Sequence, residues 1–280
     1  RTKTGRDGSN PEGYIMKTMI YQVCIGKAAN SKLYKHCIQS VADYCEKHGF
    51  EHIVQRTPKL RIKPNVFRTN RSKDSYEKHG GYLPIYEKEQ AFAYLDQYDR
   101  IAIIDADIYI RPDSPNIFED FGDEHAFGAV CEREMNITQQ YKDKIINYSS
   151  MQYSSLHNPS VGIDFKPNQL GHEFYNMGMI LLNCEKFTPF LKGQTPKQFI
   201  ERNEFANFVD GMGTWKWSTD QTLLNYFLKK YRIPTKHMEC KWNGLYTANA
   251  SIQECHFVHF FLKDRLPSAG ENVEELMELI

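Results

Sequence analysis

A four-residue apolar run that ends directly in two aspartates constrains this chain more than any other feature. Ile101–Ile104 reads Ile-Ala-Ile-Ile, and Asp105 and Asp107 follow at once. A continuous apolar run of this length is typical of a strand buried on both faces, as in a parallel sheet covered by helices. Acidic side chains at the carboxyl end of such a strand lie where ligands bind in open α/β sheets.

The spacing of the two aspartates favours a metal site. Residues at i and i+2 of an extended segment point to the same side, so the oxygens of Asp105 and Asp107 can converge on one Mg²⁺ or Mn²⁺ ion. Such an ion keeps open positions that phosphate oxygens fill. The alternative is a solvated turn, because Arg111, Pro112 and Asp113 continue into a loop. We favour the metal, because an acidic pair that ends so apolar a strand is costly without a counter-charge.

The front of the chain predicts a strand, a helix and a second strand. Met19–Ile25 is apolar and β-prone, Leu33–His48 has apolar residues at helical spacing, and Glu51–Gln55 predicts another short strand. This βαβ start predicts the α/β class, with a mostly parallel central sheet flanked by helices. Ile85–Tyr98, just before the acidic strand, predicts a further helix.

The remaining segments define the organisation of the chain. The polar, Gly-rich segment 1–17 predicts a flexible end or a tag, and 18–280 predicts a single domain, because no linker divides the chain before Gly270. The basic stretch Thr57–Gly81 predicts a solvated loop, with phosphate contact as the lesser alternative. Glu271–Ile280 has apolar residues on one face and predicts a short docking helix.

The composition excludes several classes of protein. With 41% hydrophobic and 25% charged residues, the 280-residue chain is neither disordered nor fibrous. Its 35 basic residues balance 35 acidic ones, so no positive field favours nucleic acid. No apolar run approaches the roughly 18 residues of a transmembrane helix. Seven cysteines without a CxxC pair predict reduced thiols rather than a disulfide framework or a zinc cluster, which favours a cytoplasmic location.

Four short stretches together resemble a known family. Ile103–Ile110 resembles the Asp-x-Asp strand of the GT-A glycosyltransferases, nearest to the retaining group that contains glycogenin and the bacterial lipopolysaccharide galactosyltransferases (glycosyltransferase family eight). Three later stretches resemble further motifs of that group in the same order: Phe174–Asn183, Ser218–Asn225 and Cys255–Phe260. The resemblance runs from about Met19 to Lys263. It implies a GT-A fold and metal-dependent transfer of a sugar from a nucleotide-diphosphate sugar, most commonly a UDP-sugar, to a hydroxyl of a glycan or other acceptor with retention of configuration.

The resemblance also implies a metal set and a donor-sugar set. His259 matches the metal-binding histidine better than His256 and would join the two aspartates around Mn²⁺ or Mg²⁺, although a histidine in an apolar strand is more often a core residue. Asn176 and Gly178 would face the donor sugar, and their alternative is a β-bulge. The next motif would place Asp220 at the sugar hydroxyls and Gln221 near the anomeric carbon, as the catalytic pair. The alternative for Asp220 is a helix cap or a first-turn acid favoured by the helix dipole.

The nucleotide would be bound by Tyr34, Lys88, Ala106 and Lys263. Tyr34 would stack on uracil, with core packing on its own helix as the alternative. Lys88 would neutralise the diphosphate, unless it pairs along its helix with a neighbouring glutamate. Lys263 would contact the β-phosphate, but here the chain departs from the family pattern after the histidine, and Arg265 is a reasonable substitute.

The acceptor side and the reaction class stay open at this point. The variable region between motifs supplies aromatic and histidine side chains for an acceptor wall or a helical lid: Tyr141, Tyr148, Tyr153, His157 and Phe165. Trp215 and Trp217 stand just before Asp220 and suit stacking on a sugar or a base. If the enzyme inverted configuration, Asp220 would be the candidate base. Two further alternatives are a sugar nucleotidyltransferase, which would carry a Gly-rich basic loop after the first strand, and a catalytically silent sugar-binding relative.

Overall fold

The computed structural model describes residues 15–65, 70–156, 163, 165–249 and 251–280. The predicted flexible end falls almost wholly outside these residues, as does His157 of the predicted acceptor wall. The strands are β1 (Thr18–Val23), β2 (Glu51–Gln55), β3 (Arg100–Ile104), β4 (Ile108–Ile110), β5 (Phe127–Ala129), β6 (Met179–Asn183), β7 (Thr235–His237), β8 (Gly244–Leu245) and β9 (Phe257–His259). The α-helices are α1 (Lys32–His48), α2 (Asn70–His79), α3 (Ile117–Phe121), α4 (Gln139–Tyr153), α5 (Cys184–Leu191), α6 (Pro196–Ile200), α7 (Ala206–Asp210), α8 (Asp220–Lys230) and α9 (Val273–Glu278).

The central sheet is mostly parallel, as the sequence predicts. Its strand order is β2-β1-β3-β6-β5-β7. Strands β1, β2 and β3 run parallel to one another, β5 runs parallel to β7, and β6 is antiparallel to both of its neighbours. The strands before and after β6 therefore end at one edge of the sheet, and β6 begins there.

Both faces of the sheet are covered by apolar cores. Along β3, Ile101 and Ile103 contribute to one buried cluster, whereas Ala102 and Ile104 contribute to another. Alternate residues of a strand point to opposite faces, so this division means that β3 is enclosed on both sides. The continuous apolar run is therefore explained, and the prediction of a doubly buried strand is confirmed.

Helix α1 forms where its apolar spacing predicts. Its buried side chains include Leu33, Cys37 and Val41, which recur every four residues on one face. The helix ends at Gly49, whose φ of 71° gives the left-handed conformation that only glycine adopts at little cost. The chain then turns directly into β2. At the other end of the chain, Leu276 of α9 is buried against the same cluster as Leu33, as expected of a docking helix.

The predicted helix Ile85–Tyr98 is a shorter 3₁₀ helix, Pro84–Tyr94. Three consecutive charged residues, Glu87, Lys88 and Glu89, are all buried there, which a single apolar stripe on an α-helix does not allow. The Glu87 carboxylate accepts hydrogen bonds from the backbone N–H groups of Lys59 (2.7 Å) and Arg61 (2.7 Å). The stretch Thr57–Gly81 is thus not a simple solvated loop: its beginning is held against the core, and it contains α2.

A second, smaller sheet brings the end of the chain to the acidic strand. Its order is β4-β9-β8, with β4 antiparallel to β9. The register pairs Ile108 with His259, and the Phe260 N–H donates to the Asp107 carbonyl over 2.9 Å. This pairing positions the histidine beside the two aspartates.

Candidate active site

Asp105, Asp107 and His259 converge at one point. The Nε2 atom of His259 lies 3.3 Å from Oδ1 of Asp107 and 3.9 Å from Oδ2 of Asp105. Their ligand atoms all lie within 4.8 Å of one another, close enough to hold one metal ion. Two carboxylates and an imidazole form a mixed oxygen and nitrogen donor set that fits Mn²⁺. The structure therefore brings together the three residues that the sequence analysis grouped, at the carboxyl end of β3.

The protonation of this group follows from its surroundings. Burial alone would lower the pKa of His259, but the carboxylates of Asp107 and Asp105 raise it above the usual 6.5. For a carboxyl group the effect of burial is the opposite, and burial alone would raise the pKa of Asp107. The imidazole of His259 beside it nevertheless brings the Asp107 pKa below its usual value. A cation would take over the role of the imidazolium by neutralising the carboxylates.

Gly178 is required by the close approach of the His259 ring. A Cβ atom at this position would lie 2.4 Å from Cε1 and 2.7 Å from Nδ1 of His259. Gly178 precedes β6 in a turn, and its carbonyl accepts a hydrogen bond from the Asp105 N–H over 2.8 Å. The glycine thus lies in contact with the candidate metal ligands, and neither it nor Asn176 forms part of a strand.

Asn243 orients the imidazole. Its Oδ1 atom lies 3.0 Å from Nδ1 of His259, and both residues are buried. Its Nδ2 group donates to Oδ1 of Asn176 over 2.8 Å, which fixes the amide orientation and leaves Oδ1 to accept from the ring. The Nε2 lone pair of His259 then faces the aspartates, as a metal ligand requires. No motif in the sequence marked Asn243, because its partners are remote in the chain.

Lys88 joins two acidic motifs. Its Nζ atom lies 2.9 Å from Oδ1 of Asp105 and 2.9 Å from Oδ2 of Asp220, and it donates to the Met177 carbonyl over 2.8 Å. Burial alone would lower the pKa of Lys88, but the two carboxylates raise it above its usual value. Lys88 thus pairs with two carboxylates from other parts of the chain, and not with a neighbouring glutamate of its own helix. Lys88 instead holds one oxygen of Asp105, while the other faces His259.

Glu132 connects the two donor-sugar motifs and was not among the sequence predictions. Its Oε1 atom accepts hydrogen bonds from Nδ2 of Asn176 (2.8 Å) and from Nε2 of Gln221 (2.9 Å). Burial raises the pKa of the Glu132 carboxyl, and the two amide donors partly offset that effect. Asp220 is the first residue of α8, and Thr219 caps the helix through a hydrogen bond from the Gln221 N–H to its side chain. Thr219 is therefore the cap, and Asp220 is an acidic residue of the first helical turn, as the other half of that alternative has it.

Most of the residues described so far line one cavity of about 650 Å³. Its wall includes Tyr141 and Tyr148 of α4, two of the residues predicted for an acceptor wall or a helical lid, and that role stays a prediction. Tyr153 and Phe165 do not belong to that wall: both are buried, and their rings stack on each other at 5.1 Å between centroids. Tyr153 is the last residue of α4, and this end of the helix is buried in the core together with Phe165. The cavity otherwise collects the residues of the motifs: Lys88, Asp105, Asp107, Asn176, Gly178, Asp220, Gln221 and His259.

The other predicted nucleotide contacts lie around this cavity without lining it. Tyr34 is half-buried and packs with Ala106, and burial together with Asp107 and Asp105 raises its pKa. Lys263 forms an ion pair with Glu271, and it donates to the Ser31 hydroxyl over 2.9 Å. A phosphate contact of Lys263 would replace that ion pair, and it stays a prediction.

A second group of candidate ligands lies elsewhere. Cys131, Glu134 and His237 are close enough to share an ion. Both ring nitrogens of His237 already have partners, since Nδ1 lies 3.1 Å from Glu134 and Nε2 lies 2.6 Å from the Tyr175 hydroxyl. Burial raises the pKa of the Cys131 thiol to about 11, which disfavours the thiolate that a metal needs.

The seven cysteines form no disulfide bond with one another. Among the described residues, no helix combines the length and apolarity needed to cross a membrane.

Comparison with solved structures identifies the fold of the chain. A glycosyltransferase involved in glycosylation of the major capsid of PBCV-1 superposes with a TM-score of 0.50 and 14% identity, covering 94% of this chain and 100% of that one. An active-site mutant of LgtC superposes with a TM-score of 0.50 and 13% identity, covering 93% of this chain and 94% of that one. The chain has the GT-A fold. No protein-family model and no curated protein sequence matches it.

In the GT-A fold of this chain, the acidic pair, His259 and the cavity all lie at the edge of the sheet where β3 and β5 end and β6 begins. The fold explains why residues from four distant stretches meet there. Strand β6 is antiparallel to β3 and β5. For this reason Asn176 and Gly178, which come just before β6, lie at the same edge of the sheet as Asp105 and Glu132, which come just after β3 and β5.

Proposed function

We propose that this chain is a metal-dependent glycosyltransferase. It would transfer a sugar from a nucleotide-diphosphate sugar, preferably a UDP-sugar, to a hydroxyl of a glycan or other acceptor, with retention of anomeric configuration. The observation that carries the proposal is the convergence of Asp105, Asp107 and His259 on a cavity that Asn176 and Gln221 also line. Sugar-transferring neighbours share the fold, and the proposal adds the chemistry of the site to that likeness.

The reaction has a simple atomic balance. The acceptor hydroxyl oxygen forms a bond to the anomeric carbon, and the bond from that carbon to the β-phosphate oxygen breaks. In a retaining reaction the acceptor approaches on the side of the leaving group, so its proton passes to the departing phosphate oxygen. A divalent cation at Asp105, Asp107 and His259 would supply Lewis-acid stabilisation of the diphosphate charge.

The residues of the chain divide the remaining tasks. Lys88 fixes one oxygen of Asp105 and one of Asp220, so both carboxylates are oriented before a substrate arrives. Glu132 fixes the amides of Asn176 and Gln221 in the same way, by accepting a hydrogen bond from each of them.

The position of Asp220 supports retention over inversion. A general base must come within hydrogen-bond distance of the acceptor hydroxyl. The Asp220 side chain is only 3% exposed and is ion-paired with Lys88, so it is poorly placed to approach a hydroxyl in the open part of the cavity. Retention needs no such base, because the leaving phosphate takes the proton.

Release of UDP tests the proposal. Purified protein is incubated with UDP-glucose, UDP-galactose or UDP-xylose and Mn²⁺, and UDP is measured. We expect release with at least one donor, its loss on chelation, and an NMR spectrum of the product that shows a retained anomeric configuration. No release from any of the three donors at any Mn²⁺ concentration would refute the proposal, and pyrophosphate formed from UTP and a sugar phosphate would indicate a nucleotidyltransferase.

The variant Asp107→Asn tests the metal assignment directly. We expect it to lose metal-dependent UDP release while its circular dichroism spectrum stays that of the parent protein. Asp113→Asn is the matched control, because Asp113 is an exposed carboxylate six positions further along that does not line the cavity. Unchanged turnover in Asp107→Asn would exclude Asp107 as a ligand.

A further inference from the structure

A second cavity opens beside the active-site cavity. It has a volume of about 680 Å³ and lies between α2 and the loop that leads into α8. Ile85 and Thr219 line both cavities, so the two are adjacent. We call this second space the Trp217 cavity, after the largest side chain in its wall. Its size is that of a site for a small ligand.

Trp217 is exposed although the other two tryptophans are packed. It retains 60% of its accessible surface, whereas Trp242 is fully buried and Trp215 packs against the main core. A large exposed apolar ring within a cavity is typical of a ligand site. Trp217 lies three positions before Asp220, so a ligand on its ring would lie close to the donor-sugar residues.

The loop that carries Trp217 is held firmly. The Tyr148 hydroxyl donates to the Trp217 carbonyl over 3.0 Å, and Nε1 of Trp215 donates to the Gln152 carbonyl over 3.0 Å. The Ser218 hydroxyl donates to the Phe208 carbonyl over 2.8 Å. These bonds fix the loop against α4 and the core, so the backbone that carries the Trp217 ring is held in place before a ligand binds.

The polar lining is mixed in charge. Helix α2 presents Asp74 and Glu77 together with Lys73 and Lys78, and these form ion pairs 3.8 Å long along the helix. The ammonium of Lys216 lies 4.8 Å from the centre of the Trp217 ring. A phosphate or other strong anion would favour a clear excess of positive charge, whereas a neutral polyhydroxyl ligand needs both donors and acceptors. An aromatic platform bordered by both kinds of group suits a carbohydrate.

We propose that the Trp217 cavity is a subsite for the acceptor, and that the acceptor is an oligosaccharide. One of its sugar rings would stack its apolar face on Trp217, while the next sugar extends past Thr219 and offers its hydroxyl near Gln221. The inference rests on the proposed function for the reacting end of the acceptor. Binding of the oligosaccharide to the Trp217 cavity needs neither donor nor metal, so it can be tested alone.

Isothermal titration calorimetry without donor or metal tests the subsite. The probes are cellotetraose, maltotetraose, xylotetraose, mannotetraose and chitotetraose, each compared with its monosaccharide. We expect at least one tetrasaccharide to bind more tightly than its monosaccharide, and Trp217→Ala to weaken that binding roughly tenfold. Trp217→Phe should retain most of the affinity, because it keeps an aromatic face. Leu279→Ala, which removes an exposed apolar side chain outside this cavity, is the matched control.

Two results would overturn the inference. One is that none of the five tetrasaccharides binds the parent protein more tightly than its monosaccharide. The other is that Trp217→Ala binds them as well as the parent does, with an unchanged melting temperature. Failure of the proposed function gives a different result, namely no UDP release from the parent protein, and it leaves these titrations unaffected.

Discussion

A methyl group added at Gly178 is expected to disable the candidate metal centre. Its Cβ atom would lie 2.4 Å from Cε1 of His259, whereas carbon atoms in contact normally lie about 3.5 Å apart or more. The ring must therefore move by about 1 Å. Such a shift stretches the 3.0 Å hydrogen bond to Asn243 beyond useful length and turns Nε2 away from its position 3.3 Å from Asp107.

The expected magnitudes follow from these contacts. Misorienting one ligand through its supporting contacts weakens metal binding roughly ten- to a hundredfold. Overpacking costs about 1–3 kcal/mol of folding stability, which lowers Tm by roughly 2–4 °C for each kcal/mol in a chain of this size class. Gly178 does not have a positive φ, so the effect comes from the steric contact and not from backbone strain.

Calorimetric titration with Mn²⁺ and a thermal melt measure the two effects separately. Gly128→Ala is the matched control, because its Cβ would lie 2.8 Å from the Phe121 ring, away from the metal centre and also without a positive φ. We expect the control to lose stability while keeping its Mn²⁺ affinity. If Gly178→Ala binds Mn²⁺ as tightly as the parent protein, the argument that this glycine positions the histidine is refuted.

Three further substitutions test the supporting contacts. Lys88→Met leaves the buried carboxylate of Asp220 and the partly exposed one of Asp105 without their cation, so we expect the free energy of unfolding to fall by about 3–5 kcal/mol; urea denaturation should show a smaller loss at pH 5 than at pH 8, because the Asp105 carboxyl, whose pKa burial raises, takes up a proton more readily at the lower pH, and equal losses would contradict the ion pair. Asn243→Leu should weaken Mn²⁺ binding roughly tenfold or more, and Asn243→Asp less, since a carboxylate still accepts from the ring; calorimetry showing parent-like affinity in the leucine variant would count against it. Glu132→Ala should lower the kcat of UDP release roughly a hundredfold without changing Mn²⁺ affinity, and an unchanged kcat would exclude a positioning role.

The parts of the fold that depend on local pattern were predictable. The spacing within Leu33–His48 predicted α1 almost to its ends, and the run Ile101–Ile104 predicted a strand with two buried faces. Both signals arise from side-chain periodicity, which is set by the geometry of the element itself. The 3₁₀ helix Pro84–Tyr94 was predicted as an α-helix and too long, because its buried charges have partners that the local sequence does not reveal.

Only part of the candidate site was predictable from the sequence. The aspartates followed from the residues, whereas His259 entered through the family resemblance, since its place depends on the pairing of β4 with β9. Glu132 carried a usable signal, because it follows the apolar run Ala126–Cys131 much as Asp105 follows its own strand. Asn243 carried none, since only the folded chain brings it to the imidazole.

The pairing of β4 with β9 joins ligands that are far apart in the sequence, since Asp107 and His259 are separated by 152 positions (259 − 107). A cation that binds both would act as a cross-link, closing a loop whose entropy otherwise favours the unfolded state. Because such an ion binds only the folded form, it raises the free energy of unfolding. The increase grows with the concentration of the ion and is about 2.7 kcal/mol at a hundredfold excess over Kd. The melting temperature of the metal-loaded protein would thus report how fully the centre is occupied, even before any sugar has been transferred.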